Sequence, residues 1–98
     1  MTIDLSNKAA VVTGAASGIG YAISTALKAS GASVCMSDVQ PDALKESIAG
    51  LDVIDGRAIT CVADVSDSKQ VRKMGETAAR ELGTIDILIN CAGLQYVS

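Results

Sequence analysis

Three glycines between residues 14 and 20 form the part of the sequence best suited to bind a phosphate group. The stretch is Thr13-Gly14-Ala15-Ala16-Ser17-Gly18-Ile19-Gly20, with an apolar run before it and a helical pattern after it. Gly14 lets the chain turn sharply out of a strand, Gly18 leaves room for a diphosphate, and Gly20 lets a helix pack close to the strand. Because free N–H groups at a helix start attract anions, this spacing predicts a phosphate site. A plain strand-to-helix turn is the alternative.

Asp38 is the candidate for recognising the ribose of a bound dinucleotide. It ends the second apolar run, eighteen residues after Gly20. A carboxylate at this place accepts hydrogen bonds from ribose hydroxyls and repels an additional phosphate on the ribose. Since a hydrogen bond to a charged group contributes roughly 1.5–3 kcal/mol, we expect NAD to bind about ten-fold or more tightly than NADP. The alternative is a turn residue that precedes the helix beginning at Pro41.

Alternating strands and helices would position these residues. Apolar residues recur at helical spacing in three segments, and short apolar runs separate those segments. The predicted elements are strand Lys8–Thr13, helix Ile19–Leu27 ending near Ser30-Gly31, strand Ala32–Ser37, helix Pro41–Gly50, strand Arg57–Val62, helix Ser66–Leu82 with Ser66 as N-cap, and strand Ile85–Asn90. Apolar strands joined by helices form parallel sheets with right-handed crossovers. We therefore predict an α/β fold: a Rossmann-like parallel sheet, the β-α-β-α-β-α-β half of a doubly wound fold, with strand order 3-2-1-4.

The composition restricts the chemistry. The chain has 98 residues, a net charge of −3, no histidine, and three separated cysteines, Cys35, Cys61 and Cys91. The sequence therefore has no imidazole base and no basic surface for nucleic acid or an anionic membrane. The cysteine spacing predicts buried, reduced thiols rather than disulfides or a metal site. With reduced thiols and no signal peptide or membrane-spanning run in the sequence, we predict a cytoplasmic protein, with another reducing compartment as the alternative, that contacts neither nucleic acid nor membrane.

Two further motifs, taken with the glycine spacing, resemble the short-chain dehydrogenase/reductase family. Asn90-Cys91-Ala92-Gly93 follows the fourth strand and is similar to the Asn-Asn-Ala-Gly motif of that family, with Cys91 in place of the second Asn. Asp64-Val65 follows the third strand and is similar to the pair that contacts adenine. The resemblance covers essentially the whole chain, 1–98, as one NAD(P)-binding Rossmann domain.

The resemblance implies a role for each matching residue. Ile19 would meet the diphosphate through its backbone N–H, and Asp64, with the Val65 backbone beside it, would bind the adenine. Asn90 would bind the nicotinamide ribose, and Gly93 would leave room for the cofactor. The predicted cofactor-binding set is Gly14, Ser17, Gly18, Ile19, Gly20, Asp38, Asp64, Val65, Asn90 and Gly93. The alternatives are a helix N-terminal charge for Asp64 and a strand-end cap for Asn90.

Positions next to the ribose also bear on the cofactor. Relatives that prefer NADP carry a basic residue in the glycine-rich turn or just after the second strand. Here these positions hold Ser17, Val39 and Gln40. The resemblance therefore favours NAD over NADP.

The proton-transfer residues of the family are absent from this sequence. The family uses a Tyr with a Lys four residues later and a Ser upstream, and neither Tyr21 nor Tyr96 belongs to such a motif. We therefore assign no catalytic residue and expect a domain that is incomplete at its C-terminal side. A strand at 85–90 with no outer neighbour would be a bare apolar edge, which predicts self-association.

Three functions fit the sequence to different degrees. The first is the NAD-binding part of a dehydrogenase that interconverts an alcohol and a carbonyl by hydride transfer, acting on a small-molecule substrate in a longer form. The second is a non-catalytic dinucleotide-binding or interaction module. The third, a methyltransferase-like domain, is disfavoured by the spacing of the glycines and by the motif at 90–93.

Overall fold

Strands and helices alternate along the chain. The computed structural model describes residues 4–16, 18–51 and 57–91. Its elements are β1 Ala9–Thr13, α1 Gly18–Ala29, β2 Ser33–Asp38, α2 Pro41–Ala49, β3 Ala58–Val62, α3 Ser68–Leu82 and β4 Ile87–Asn90. Each predicted element is present, with bounds shifted by a few residues at most, as is usual where helices and strands end.

The four strands form one parallel sheet in the order β3-β2-β1-β4, which confirms the predicted topology. In its register Thr13 lies between Ser37 of β2 and Asn90 of β4, and Asp38 lies beside Val62 of β3. The carboxyl ends of all four strands therefore meet at one edge. This edge is where parallel sheets with crossing helices bind ligands.

Two apolar clusters hold the helices against the two faces of the sheet. The first cluster contains Val12, Val34 and Met36 with Leu44 of α2, and side chains of α1 pack against it. The second contains Val11 and Cys35 with Met74 and Ala78 of α3. Successive strand residues point to opposite faces, so the two central strands, β1 and β2, are buried almost throughout.

The start of α3 differs from the prediction. The N-cap is Asp67 rather than Ser66, because the Asp67 carboxylate accepts the N–H groups of Lys69 at 2.9 Å and Gln70 at 3.4 Å. The Ser66 hydroxyl instead donates to Asp64 at 2.7 Å. Since Asp and Ser cap helices about equally well, residue type alone could not distinguish these neighbouring positions.

All three cysteines are free thiols. Cys35 and Cys91 are buried, as predicted, whereas Cys61 on the edge strand β3 is half-buried. Burial raises the pKa of the Cys35 thiol to about 12, with a smaller contribution from Cys61. Across residues 4–16, 18–51 and 57–91, none of the helices is long and apolar enough to cross a bilayer.

Candidate dinucleotide-binding site

The glycine-rich turn joins β1 to α1 at the carboxyl edge of the sheet. Gly14 has a φ of 64° and Gly18 a φ of 61°, in the left-handed region that side chains disfavour. The helix begins at Gly18, so its first N–H groups, including that of Ile19, belong to the turn. Ser17, also assigned to the site, lies outside the described residues. The turn thus presents a helix N-terminus of the kind that binds anions.

Gly20 is the point of closest approach between α1 and the turn. A Cβ atom at this position would lie 2.1 Å from the carbonyl oxygen of Gly14 and 3.1 Å from the Cα of Ala15. Both neighbours are backbone atoms, which cannot rotate away. The close packing expected from the sequence is therefore a property of the fold.

Asp38 connects the end of β2 to the turn. Its side chain is buried, and its two carboxylate oxygens accept the N–H groups of Ala16 at 3.1 Å and Gln40 at 3.2 Å. A carboxylate offers about four lone-pair sites, so two remain for ligand hydroxyls. Sequence reasoning placed Asp38 at this edge but missed its contact with the turn, which depends on how the turn folds back over β2.

Asp64 and Val65 follow β3 at the same edge. The Asp64 carboxylate is exposed and accepts both the hydroxyl and the backbone N–H of Ser66, at 2.7 and 2.9 Å. These hydrogen bonds, that from the hydroxyl first, hold the pKa of Asp64 below its ordinary value. The side chain is therefore an ionised acceptor at neutral pH. It precedes the α3 N-cap, Asp67, by three residues.

Asn90 ends β4 and is held by β1. Its Oδ1 accepts the hydroxyl of Thr13 at 2.7 Å, between residues that are partners in the sheet register. The backbone N–H of Cys91 donates to the Thr13 carbonyl at 3.3 Å. This geometry is that of a strand-end contact, and Thr13 is the partner that the sequence did not reveal. Gly93, the last residue assigned to the site, lies outside the described residues.

Exposed apolar side chains surround this edge. The exposed fractions are 60% for Ile19 at the start of α1, 47% for Val39 after β2 and 37% for Val65 after β3. Because Val39 and Val65 follow neighbouring parallel strands, they lie on the same edge of the sheet. Exposed apolar groups beside hydrogen-bond acceptors are typical of sites that bind flat, partly apolar molecules such as nucleobases.

The family follows from comparison with known proteins. The family model described as "short chain dehydrogenase" matches residues 8–98. The chain belongs to the short-chain dehydrogenase family. This is an oxidoreductase family whose members bind NAD or NADP, and the resemblance found in the sequence is confirmed.

Individual relatives agree with this assignment. A glycine betaine reductase of Emericella nidulans is 47% identical over 92 residues, which are 94% of this chain and 7% of that protein. The crystal structure of a hydroxysteroid dehydrogenase from Escherichia coli matches with a TM-score of 0.84 at 33% identity, over 89% of this chain and 37% of that one. A short-chain dehydrogenase/reductase from Burkholderia phymatum, solved in complex with NAD, matches with a TM-score of 0.80 at 30% identity, over 90% and 31% of the two chains. The chain thus spans about a third of the length of these two solved structures.

Proposed function

We propose that these residues form the NAD-binding part of a cytoplasmic short-chain dehydrogenase that interconverts an alcohol and a carbonyl. The observation that carries this proposal is the juxtaposition of the glycine-rich turn with Asp38 at the carboxyl edge of a parallel sheet. Such an edge supplies anion-binding N–H groups and a hydroxyl acceptor side by side. When bound, the nicotinamide cofactor accepts the hydride as the alcohol is oxidised and supplies it as the carbonyl is reduced.

The polar groups of the site are of the kinds that bind a dinucleotide. Gly14, Gly18 and the N–H of Ile19 would hold the diphosphate, with Ser17 beside them. The free lone pairs of Asp38 would accept the adenosine ribose hydroxyls. Gly14, Gly18 and the Ile19 N–H belong to the glycine-rich turn, and Asp38 is joined to that turn by the hydrogen bond from the Ala16 N–H.

The remaining contacts involve the two ends of the cofactor. The ionised Asp64 would accept a hydrogen bond from the adenine amino group, with the Val65 backbone beside the base. Asn90, which Thr13 holds in place, would bind the nicotinamide ribose, and Gly93 would leave room next to it. These roles follow from the family motifs together with the position of both strand ends at the carboxyl edge.

A preference for NAD over NADP is the finer part of the proposal. The buried Asp38 carboxylate would repel an additional phosphate on the ribose. A groove of about 410 Å³ beside the turn is lined by Ala16, Tyr21, Ala43, Glu46 and Ser47. None of these residues is basic and one is acidic, so the groove offers an NADP phosphate no cationic partner.

Calorimetric titration with NAD and with NADP tests both parts of this proposal. We expect NAD to bind the intact protein at least about ten-fold more tightly than NADP, and Asp38→Ala to narrow that ratio. Asp42→Ala is the matched control, because it removes an exposed carboxylate from the first turn of α2 and should leave the ratio unchanged. Equal affinities for the two cofactors would refute the preference, and binding of neither would refute the dinucleotide site.

The catalytic residues belong, in this proposal, to chain beyond the 98 residues. The chain spans 37% and 31% of the two solved dehydrogenases, and its sequence has no Tyr-x-x-x-Lys. To test whether the catalytic residues lie in a longer product, the protein is captured from its source cells with an antibody to the Pro41–Ala49 helix and its mass is measured. A mass of 9.9 kDa would exclude catalysis by a longer product.

A non-catalytic module that self-associates is the second candidate. It is favoured by β4, which, among the residues that the structure describes, pairs with β1 alone and exposes 67% of Leu88. Unpaired apolar strand edges pair with other chains. For a natural product of 98 residues we expect dimers or larger species by light scattering at tens of micromolar, and Leu88→Lys should reduce them. A stable monomer would refute association through the 85–90 edge.

A further inference from the structure

The backbone of Ala16, in the middle of the glycine-rich turn, is held on both sides of its Cα atom. Its N–H donates to the Asp38 carboxylate at 3.1 Å, and its carbonyl oxygen accepts the Ser47 hydroxyl at 2.5 Å. Ala16 and Ser47 are both half-buried, and Asp38 is buried. Two side chains distant in sequence therefore each hold one of the two peptide units that flank the Ala16 Cα atom.

The turn needs such support because its own backbone restrains it little. Gly14 and Gly18 bracket Ala16, and glycine has more conformational freedom than any other residue. The Ala15 N–H donates to the Ser37 carbonyl at 3.0 Å, so the beginning of the turn is tied to β2. Beyond that contact, the described hydrogen bonds of the turn up to Ala16 are those with Asp38 and Ser47. Affinity for an anion depends on where the turn's N–H groups point, so these contacts bear on binding.

The two residues that hold Ala16 come from consecutive elements, β2 and α2. Asp38 ends β2, and Ser47 lies in the last half of α2, which follows β2 after two residues. The first of these elements also carries the carboxylate proposed to select NAD. Any movement of α2 relative to β2 would thus be transmitted to the turn through Ser47, although none of the ten residues assigned to cofactor binding lies in α2.

We propose that Ser47 is a positioning residue for dinucleotide binding, which acts by clamping the Ala16 carbonyl while Asp38 holds the Ala16 N–H. This inference rests on the proposed dinucleotide function. It makes the shape of the phosphate-binding turn depend on α2. It also gives Asp38 two tasks, so that changing Asp38 weakens binding of both cofactors as well as altering their ratio.

Ser47→Ala removes the hydrogen bond from the Ser47 hydroxyl to the Ala16 carbonyl, which we call the clamp, and leaves the bond between Ala16 and Asp38 in place. Alanine favours a helix more than serine does, so weaker binding could not come from unwinding of α2. Loss of one hydrogen bond should raise the Kd for NAD and for NADP roughly 2- to 12-fold each, leaving their ratio unchanged. Hydrogen exchange should become faster at the Ala16 amide in the absence of any cofactor, because the clamp acts on the free protein.

Two matched variants separate the clamp from a general loss of stability. Ser47→Thr keeps the hydroxyl and should restore binding. Thr25→Ala removes a hydroxyl that donates only to the Tyr21 carbonyl within α1, at 2.9 Å, and should change neither the Kd values nor the exchange at Ala16. If Ser47→Ala binds NAD as tightly as the unaltered protein does, the clamp is refuted and the proposed function stands. If the unaltered protein binds neither cofactor, both are refuted.

Discussion

Replacing Gly20 by alanine tests whether the contact between α1 and the glycine-rich turn is as close as the structure shows. The added Cβ would lie 2.1 Å from the Gly14 oxygen and 2.7 Å from its carbonyl carbon. Real Cβ contacts are essentially never shorter than 3.0 Å. The helix and the turn must therefore move apart by about 1 Å, because neither atom can leave by a side-chain rotation. Such overpacking costs about 1–3 kcal/mol or more.

Gly75 provides the matched control. It lies within α3, and a Cβ there would meet nothing within 4 Å. Replacing a helical glycine by alanine stabilises a protein by about 0.5–1 kcal/mol when space allows. Because Gly20 also lies within a helix, this gain is common to both variants. The free energies of unfolding of Gly20→Ala and Gly75→Ala should therefore differ by the overpacking cost, about 1–3 kcal/mol.

Urea unfolding followed by circular dichroism measures this difference, since the chain has no tryptophan to report by fluorescence. We expect Gly75→Ala to unfold at higher urea concentration than the unaltered protein and Gly20→Ala at lower. Gly20→Ala should also weaken NAD binding, because the displaced turn carries the phosphate-binding N–H groups. Equal stabilities of the two variants would show that α1 does not pack on the turn as the structure has it.

Three further predictions concern the α3 cap, Asp64 and the buried thiol. Asp67→Ala should lower the free energy of unfolding by about 1 kcal/mol, because α3 loses the acceptor for its first N–H groups. Urea unfolding measures this free energy, and an unchanged value would argue against Asp67 as the N-cap. Ser66→Ala should raise the pKa of Asp64 toward its ordinary value, observed by NMR titration of the carboxyl carbon. Because the pKa of Asp64 is lowered in the folded protein, its hydrogen bonds are present above the ordinary carboxyl range and are lost as pH falls through the lowered pKa; an unchanged titration would contradict this. Cys35 should resist alkylation at pH 8 in the folded protein and react in urea, because burial keeps its thiol protonated, so rapid labelling without urea would refute its burial.

The sequence was sufficient to predict the fold. Each strand is a short run of β-branched or small apolar residues, and each helix has apolar residues at helical spacing on one side. Both patterns involve residues close together in the sequence, so they can be recognised without the structure. The strand order followed from the right-handed crossover rule and from the family resemblance. The α3 cap was wrong by one residue because Ser66 and Asp67 both suit a cap, and the structure employs Ser66 at Asp64 instead.

The site was predictable only where chemistry and spacing coincide. Asp38 could be placed because it ends a strand at a fixed distance from the glycines. Its bond to Ala16 joins residues 22 apart in sequence, the Ser47 bond joins residues 31 apart, and the Thr13–Asn90 bond joins residues 77 apart. No local pattern distinguishes a hydroxyl that makes such a bond from one that faces solvent.

These long-range bonds have a consequence for how cofactor preference could change. A substitution at Asp38 intended to admit NADP also removes the acceptor for the Ala16 N–H, so it loosens the turn that both cofactors need. Adding a basic residue while retaining Asp38 avoids that loss. Gln40→Arg is such a change, since Gln40 is exposed and the N–H it gives to Asp38 belongs to the backbone, which the substitution preserves. The structure therefore predicts that preference shifts with less loss of affinity through residue 40 than through residue 38.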